Sequence, residues 1–158
     1  MNRHNQNLSS GTSKRRARGV TLIELLITVA IVAIIAAIAI PSYNTYVLRT
    51  HRTEAKSALL SMAAMQERFY STQNIYASLP NQLGYTGTVW PINVGSNYYS
   101  INLPAPTAAT TTTPATYTLT ATAINGQVAD TACATLSVDQ SGTQTATGSA
   151  TATVDCWK

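Results

Sequence analysis

The sequence predicts an α+β fold in which one long amino-terminal helix packs its second half against a four-stranded antiparallel sheet. Three observations carry this prediction. The first is an apolar run of 21 residues between Gly19 and Pro41, and the second is the helical spacing of apolar residues that follows it. The third is a carboxyl-terminal half in which short β-branched and aromatic runs alternate with turn signals.

Residues 1–19 precede the apolar run and predict a cleaved basic leader peptide. They contain no acid, and their last basic residues before Gly19 are Lys14, Arg15, Arg16 and Arg18. Basic residues at one end of an apolar helix retain that end in the cytoplasm. The formal charge of +4 is therefore misleading, because five of the ten Lys and Arg residues lie in this leader.

Residues 20–41 predict a membrane-spanning helix. At about 1.5 Å of rise per residue, the apolar run spans roughly 30 Å, the thickness of a hydrocarbon core. Its thirteen Val, Leu and Ile residues outweigh the cost of Glu24, the one charged residue in the run. A lone acid in a membrane helix indicates a functional residue, and the alternative is a tolerated Glu that reaches the headgroups. Pro41 removes a backbone hydrogen bond and predicts a helix kink.

An ordinary secretory signal is the competing interpretation. Its cleavage site would be the small-residue segment Ala37-Ile38-Ala39, and cleavage there would release a soluble periplasmic protein. However, the apolar run exceeds the usual length of about 7 to 15 residues, contains Glu24 and continues directly into a helical pattern. These features favour a helix that stays attached.

Gly19, the following Val-Thr-Leu-Ile-Glu-Leu and the segment Ile40-Pro41-Ser42-Tyr43 resemble the signature of type IV pilin precursors. The resemblance implies that a prepilin peptidase cuts between Gly19 and Val20 and methylates the new amino terminus at Val20. In a filament, Glu24 would then pair with the amino terminus of Val20 on a neighbouring subunit. Such a pair would select the axial register of assembly, since an unpaired buried charge is costly.

Two positions depart from that signature. Val20 stands where the family usually has Phe, and Ala33 stands where it usually has Gly. The extent to which the helix unwinds between Ala33 and Pro41 in a filament is therefore not predicted. A second, looser resemblance to PilE-like minor pilins of gammaproteobacterial type is carried by Arg52-Thr-Glu-Ala-Lys-Ser-Ala-Leu-Leu, Gln66-Glu-Arg-Phe-Tyr and Asp155-Cys-Trp-Lys158.

Residues 42–158 predict a pilin head. Its amphipathic helix half, 42–71, carries one apolar stripe that should face the sheet. The stripe comprises Ala55, Ala58, Leu59, Met62, Met65 and Phe69. Residues 72–97 predict a long connecting loop, because turn residues and aromatics occur there with no sustained period.

Residues 98–158 predict the antiparallel sheet and a disulfide-closed loop. Strands are expected at 98–103, 117–124 and 132–138, with a weaker one near 150–154. Turns at Asn125-Gly126 and Asp139-Gln-Ser-Gly142 indicate a meander. The Thr/Ala/Pro tract at 104–114 is expected to be extended and exposed, as is typical of a glycosylation or contact surface.

Cys133 and Cys156 are the only cysteines. Both follow the membrane helix in a region predicted to lie outside the cytoplasm, which favours a disulfide between them. The alternatives are a free reactive pair or a metal site, and the absence of a nearby histidine in the sequence argues against a metal site.

No catalytic set is recognisable in the sequence. His4 lies in the leader and His51 on the membrane-proximal helix, so neither is placed by sequence beside a nucleophile. A phosphate-binding glycine loop and a paired zinc motif are also missing. We therefore predict that the protein is not an enzyme and needs no cofactor.

The predicted function is that of a structural subunit of a type IV pilus, with a minor pilin preferred over a major pilin. By resemblance, such a subunit supports pilus biogenesis, twitching motility or adhesion. Its implied partners are other pilin subunits, the prepilin peptidase and the inner-membrane assembly machinery. Its implied location is the inner membrane, with a periplasmic head, before assembly and the extracellular pilus afterwards. A type II secretion pseudopilin and a DNA-uptake minor pilin remain alternatives.

The charge of the head argues against a nucleic-acid partner. After Arg68, Lys158 is the only basic residue, whereas Asp130, Asp139 and Asp155 are acidic. Binding to DNA draws most of its affinity from Lys and Arg residues that neutralise phosphates. We therefore expect no nucleic acid to be bound.

Overall fold

The computed structural model describes residues 19–150 and 152–158. The basic residues of the predicted leader therefore lie outside the described residues. Contacts divide the chain into two units, one that ends at Ile40 and one that spans Pro41–Lys158.

The first described element is helix α1, Leu22–Gln73. The hydroxyl of Thr21 accepts a hydrogen bond from the main-chain N–H of Glu24 at 3.3 Å and so caps the helix. The large apolar side chains between residues 22 and 40 are 51–77% exposed. This helix is long and apolar enough to cross a membrane. Pro41 lies inside α1, and the predicted kink stays a prediction.

The head contains a five-stranded sheet rather than the predicted four strands. Its strands are β1 (Ile92–Val94), β2 (Tyr99–Asn102), β3 (Thr118–Ala123), β4 (Thr135–Asp139) and β5 (Gln144–Thr147). The spatial order equals the sequence order, and all neighbours are antiparallel, which confirms the meander.

Strand β1 lies inside the predicted loop 72–97, so the prediction of a loop is wrong for these three residues. The loop also contains a 3₁₀ helix, Pro80–Leu83. The three residues of β1 follow Pro91 and precede Gly95, which in sequence mark turns. Pairing with β2, which brings Ile92 opposite Ile101, determines the strand.

The prediction of a strand near 150–154 is also wrong, because Thr153–Trp157 forms a short helix, α2. The last strand comes earlier, directly after the turn at Asp139. Oδ1 of Asp139 accepts hydrogen bonds from the N–H groups of Ser141 and Thr143 at 2.8 and 2.9 Å. This tight turn returns the chain at once to pair with β4, so that Val138 lies opposite Gln144.

The core lies between one face of α1 and the inner face of the sheet. The buried helix residues are Ala55, Leu59, Met62 and Gln66. The three apolar residues among them pack with Tyr99, Ile101, Leu119, Ala121, Leu136 and Val138. Met65 was predicted in this stripe but is 37% exposed.

Gln66 is the buried residue that the apolar pattern missed. Its side-chain amide donates to the carbonyl of Ala77 and accepts from the N–H of Ala77, with both distances 2.9 Å. Because both halves of the amide are hydrogen-bonded, its burial carries little penalty. These two hydrogen bonds hold the segment that follows α1 against α1 itself.

Candidate functional site

The predicted processing and assembly residues lie at the start of the described chain. Gly19 and Val20 precede α1 and are exposed, Val20 by 71%. Glu24 is exposed in the first helical turn. The proposed charge pair joins two subunits, so within one chain it stays a prediction.

The structure contains the predicted disulfide between Cys133 and Cys156, whose Cα atoms are 5.7 Å apart. Both cysteines are 1% exposed. The bond joins the 3₁₀ helix Thr131–Cys133, which precedes β4, to α2. Next to it, the indole N–H of Trp157 donates to the carbonyl of Thr145 at 2.9 Å. The end of the chain is thus attached at two points, the segment before β4 and strand β5.

A largely buried ion pair joins α1 to the segment between β3 and β4. Nε and Nη2 of Arg52 donate to the two carboxylate oxygens of Asp130 at 2.5 and 2.6 Å. The side chains of Arg52 and Asp130 are 13% and 2% exposed. Hydrogen bonding to Asp130 raises the pKa of Arg52, so its guanidinium is charged at neutral pH.

Gln127 connects that pair to its surroundings. Its Nε2 lies 3.0–3.1 Å from the carboxylate of Asp130, the carbonyl of Leu48 and the hydroxyl of Tyr99, so its two N–H groups are shared among three acceptors. Burial raises the pKa of Tyr99 to about 12, so this hydroxyl is neutral at physiological pH. Oε1 of Gln127 lies 2.9 Å from Nδ1 of His51. Both the nitrogen and the oxygen of the Gln127 side chain are therefore hydrogen-bonded.

These contacts were not predicted, because Arg52 and Asp130 are separated by 78 residues and no local pattern links them. The sequence offered one indirect signal, an Arg on the predicted helix and an Asp in the segment between two predicted strands. His51 also stacks on Tyr98 with ring centroids 3.6 Å apart. We call the cluster formed by His51, Arg52, Tyr99, Gln127 and Asp130 the polar anchor. It fixes the β3–β4 connection to α1.

A basic groove borders the polar anchor and shares Arg52 with it. It has a volume of about 460 Å³ and is lined by Arg49, Arg52, Thr53, Lys56, Asp155 and Lys158. In the sequence, Lys158 is far from every other basic residue, whereas in the structure it lies beside the basic residues of α1. Four basic side chains thus share one surface.

Several of these charges already have partners. Nζ of Lys56 donates to the main-chain oxygens of Lys158 and Trp157 at 2.5 and 3.4 Å. Burial, with the nearby Arg52 charge, lowers the pKa of Lys56. Nζ of Lys158 lies 3.6 Å from Oδ1 of Asp155. The groove is basic, but its positive charge is partly compensated.

Among residues 19–150 and 152–158, no group of three or more His, Cys, Asp or Glu side chains is placed to hold a metal ion. The main features of the described chain are an exposed apolar helix, a basic groove and a head that is cross-linked by the disulfide.

Comparisons with known proteins agree with this description. The family model for "Type IV minor pilin ComP, DNA uptake sequence receptor" matches residues 41–137, more than half of the chain. The model for the prokaryotic N-terminal methylation motif matches residues 14–40.

The type IV major pilin protein PilA of Myxococcus xanthus (strain DK1622) is 43% identical over 70 residues, which are 44% of this chain and 32% of that protein. The match thus spans less than two thirds of that relative's length. A solved type IV pilin structure from Shewanella oneidensis aligns with a TM-score of 0.41 and 25% identity. That alignment covers 61% of this chain and 89% of the other.

Proposed function

Because the chain belongs to the type IV pilins, in the family described as type IV minor pilin ComP, we propose that it acts as a minor structural subunit of a type IV pilus. The observation that carries this proposal is the exposed apolar surface of α1 between residues 22 and 40. An apolar surface of this size is stable only against lipid or other protein. Lipid covers it before assembly, and neighbouring subunits cover it in the filament.

Processing is proposed to occur between Gly19 and Val20. These residues precede the first turn of α1 and are exposed, so a prepilin peptidase can reach the peptide bond between them. The match to the methylation motif over residues 14–40 supports methylation at Val20. Residues 1–19 would then be the leader, 20–41 the membrane and filament segment, and 42–158 the head. The inner-membrane assembly machinery would move the subunit from the membrane to the extracellular pilus.

Replacing Glu24 with Ala should leave membrane insertion and processing intact but strongly reduce the amount of subunit in filaments. Only the charge pair with the amino terminus of a neighbouring subunit is removed, and an apolar helix inserts more readily without its acid. Immunoblots of membrane and sheared-filament fractions measure the distribution. Sequencing of the amino terminus should begin at Val20 in both proteins.

Thr28→Ala is the matched control, because Thr28 is a polar residue of the same helix that lacks a charge. Its hydroxyl donates to the carbonyl of Leu25 within its own helix. This variant should enter filaments normally. Normal incorporation of Glu24→Ala would contradict the pairing, and an amino terminus at Ile40 would establish the secretory alternative.

DNA binding is the second candidate function, and two observations favour it. The matched family is described as a DNA uptake sequence receptor, and the basic groove brings Lys158 beside Arg49. However, acidic side chains of the same chain already neutralise part of the groove's positive charge, since Arg52 is paired with Asp130 and Lys158 lies near Asp155. Few cations in the groove are left to neutralise phosphates.

We expect full-length protein in detergent to give no shift of arbitrary duplex DNA at physiological ionic strength. Each phosphate contact contributes a slope of about −0.9 to the dependence of log affinity on log salt, so a groove with few uncompensated cations binds only at low salt. Electrophoretic shift assays across a salt series measure this. A receptor would instead bind particular duplexes at physiological salt, and Arg49→Ala would weaken that binding while Arg68→Ala, outside the groove, would not. That result would place DNA binding above the purely structural role.

A further inference from the structure

Two cations of the basic groove can still bind an anion. Arg49 is exposed, and within residues 19–150 and 152–158 its side chain makes neither a hydrogen bond nor an ion pair. The ammonium of Lys158 lies 3.6 Å from Asp155, but the two side chains are 71% and 53% exposed, and such exposed pairs contribute little to stability. Lys158 can therefore exchange this partner for another anion.

The other two basic residues of the groove are bound to the head. Arg52 is paired with Asp130, and Nζ of Lys56 donates to main-chain oxygens of Trp157 and Lys158. Two cations that are free to bind are sufficient for one phosphate group. They are too few for a DNA duplex, which presents a negative charge about every 1.7 Å along its axis and is bound by many cations.

Arg49 also lies close to the end of the predicted membrane segment. It follows Pro41 by eight residues in α1, which is about 12 Å along the helix axis. The headgroup layer occupies roughly 5 to 8 Å on each side of the hydrocarbon core. Helical side chains lean toward the amino terminus of their helix, which for Arg49 is the direction of the membrane segment. The long side chain of Arg49 can thus extend its charge into the headgroups.

Two tyrosines between Pro41 and Arg49 indicate the level of the membrane surface independently of the charges. Tyr43 and Tyr46 are 67% and 68% exposed. They lie about 3 and 8 Å beyond Pro41 along the helix axis, which is the depth of the headgroup layer. Tyr is enriched at this depth because its ring is apolar and its hydroxyl is polar. Tyr46 is three residues before Arg49 and therefore lies on the same side of the helix.

We propose that Arg49 and Lys158 bind the phosphate of an anionic phospholipid on the surface of the membrane. This inference rests on the proposed function, because a subunit anchored by its helix brings the groove to a lipid surface. The planar guanidinium of Arg49 binds two phosphate oxygens side by side, and Lys158 adds a point charge. A zwitterionic lipid carries its own ammonium group, which competes for the phosphate, so the site prefers an anionic lipid.

Native mass spectrometry of the full-length protein in neutral detergent tests the proposal. Phosphatidylglycerol is titrated against phosphatidylcholine with the same acyl chains, and the wild-type protein should prefer phosphatidylglycerol. Arg49→Gln should weaken phosphatidylglycerol binding about fivefold, the change expected for one cation near a membrane surface. Lys158→Gln should weaken it by a smaller factor, because Lys158 gives up Asp155 in order to bind.

Arg68→Gln is the matched control, because it removes an exposed arginine of the same helix outside the groove. This variant should bind phosphatidylglycerol as tightly as the wild-type protein. The basic leader contributes equally to every variant, so the difference between Arg49→Gln and Arg68→Gln measures the site. Urea unfolding should give the same midpoint for both variants, which shows that the head stays folded.

Flotation with phosphatidylcholine vesicles distinguishes failure of this inference from failure of the proposed function. All variants should float with these neutral vesicles, because the apolar part of α1 is unchanged. Wild-type protein that does not float would contradict the membrane helix and, with it, both proposals. Normal flotation with equal phosphatidylglycerol affinity in Arg49→Gln and Arg68→Gln would overturn the lipid site alone.

Two competitors identify other occupants of the groove. Inorganic phosphate at millimolar concentration should not displace the lipid, and displacement would show a site for free phosphate instead. Duplex DNA at physiological salt should not displace it either. Displacement by DNA that is lost in Arg49→Gln would overturn the lipid site and assign the groove to nucleic acid.

Discussion

Replacing Asp130 with Ala should lower the free energy of unfolding of the head by about 3 kcal/mol, the low end of the range for breaking a buried ion pair, since this leaves a largely buried guanidinium without its partner. The side chain of Arg52 is 13% exposed, so water can only partly replace the two lost hydrogen bonds. Gln127 loses an acceptor in the same substitution. Urea unfolding of the full-length protein in detergent measures the change, and both tryptophans lie in the head as fluorescent reporters.

Two further variants distinguish the effect of breaking the Arg52–Asp130 pair from the effect of removing any acidic side chain. Asp155→Ala removes an exposed acid that lies 3.6 Å from Lys158 and should change stability by no more than about 0.5 kcal/mol. The double variant Arg52→Met with Asp130→Ala should be more stable than Asp130→Ala alone, because the unpaired charge is gone. Equal midpoints for Asp130→Ala and the wild-type protein would show that the polar anchor does not stabilise the fold.

Replacing both Cys133 and Cys156 with Ser should lower the free energy of unfolding by about 3 kcal/mol, from the loop entropy that the cross-link removes from the unfolded chain. The sequence separation of 23 residues sets this value. Membrane insertion through α1 should not change, because no cysteine lies in that helix. Urea unfolding gives the stability, and membrane fractionation gives the insertion.

Wild-type protein treated with reductant serves as the control and should unfold at nearly the same urea concentration as the double variant. Alkylation of the untreated protein should modify neither cysteine. Two freely alkylated thiols in native protein would refute the disulfide, and an unchanged midpoint after reduction would refute its contribution to stability.

The large features of this fold were predictable because they depend on patterns along the chain. The 21-residue apolar run predicts the helix through its length and composition alone. Leu59 and Met62 are buried as their helical spacing predicts, and the cysteines pair because no other cysteine competes. Turn residues likewise indicated where the later strands meet.

The features that were not predicted from the sequence depend on contacts between residues that are far apart along the chain. Strand β1 forms only because β2 lies beside it, so three residues next to a proline carried no strand signal of their own. Gln66 is buried because the backbone of Ala77 satisfies its amide. The polar anchor and the basic groove also join residues far apart in sequence, and a period of apolar residues cannot reveal such partners.

The disulfide also determines how the head responds to mechanical load. If the chain is pulled from its two ends, force passes from Cys133 to Cys156 through the sulfur atoms, and the 23-residue segment that they close carries no tension. A fully extended chain spans about 3.3 to 3.6 Å per residue. Roughly 80 Å of contour length is therefore withheld from extension until the bond is reduced. In single-molecule stretching, the oxidised head should release that much less length than the reduced one, and β4 and β5 would peel apart without lengthening the molecule.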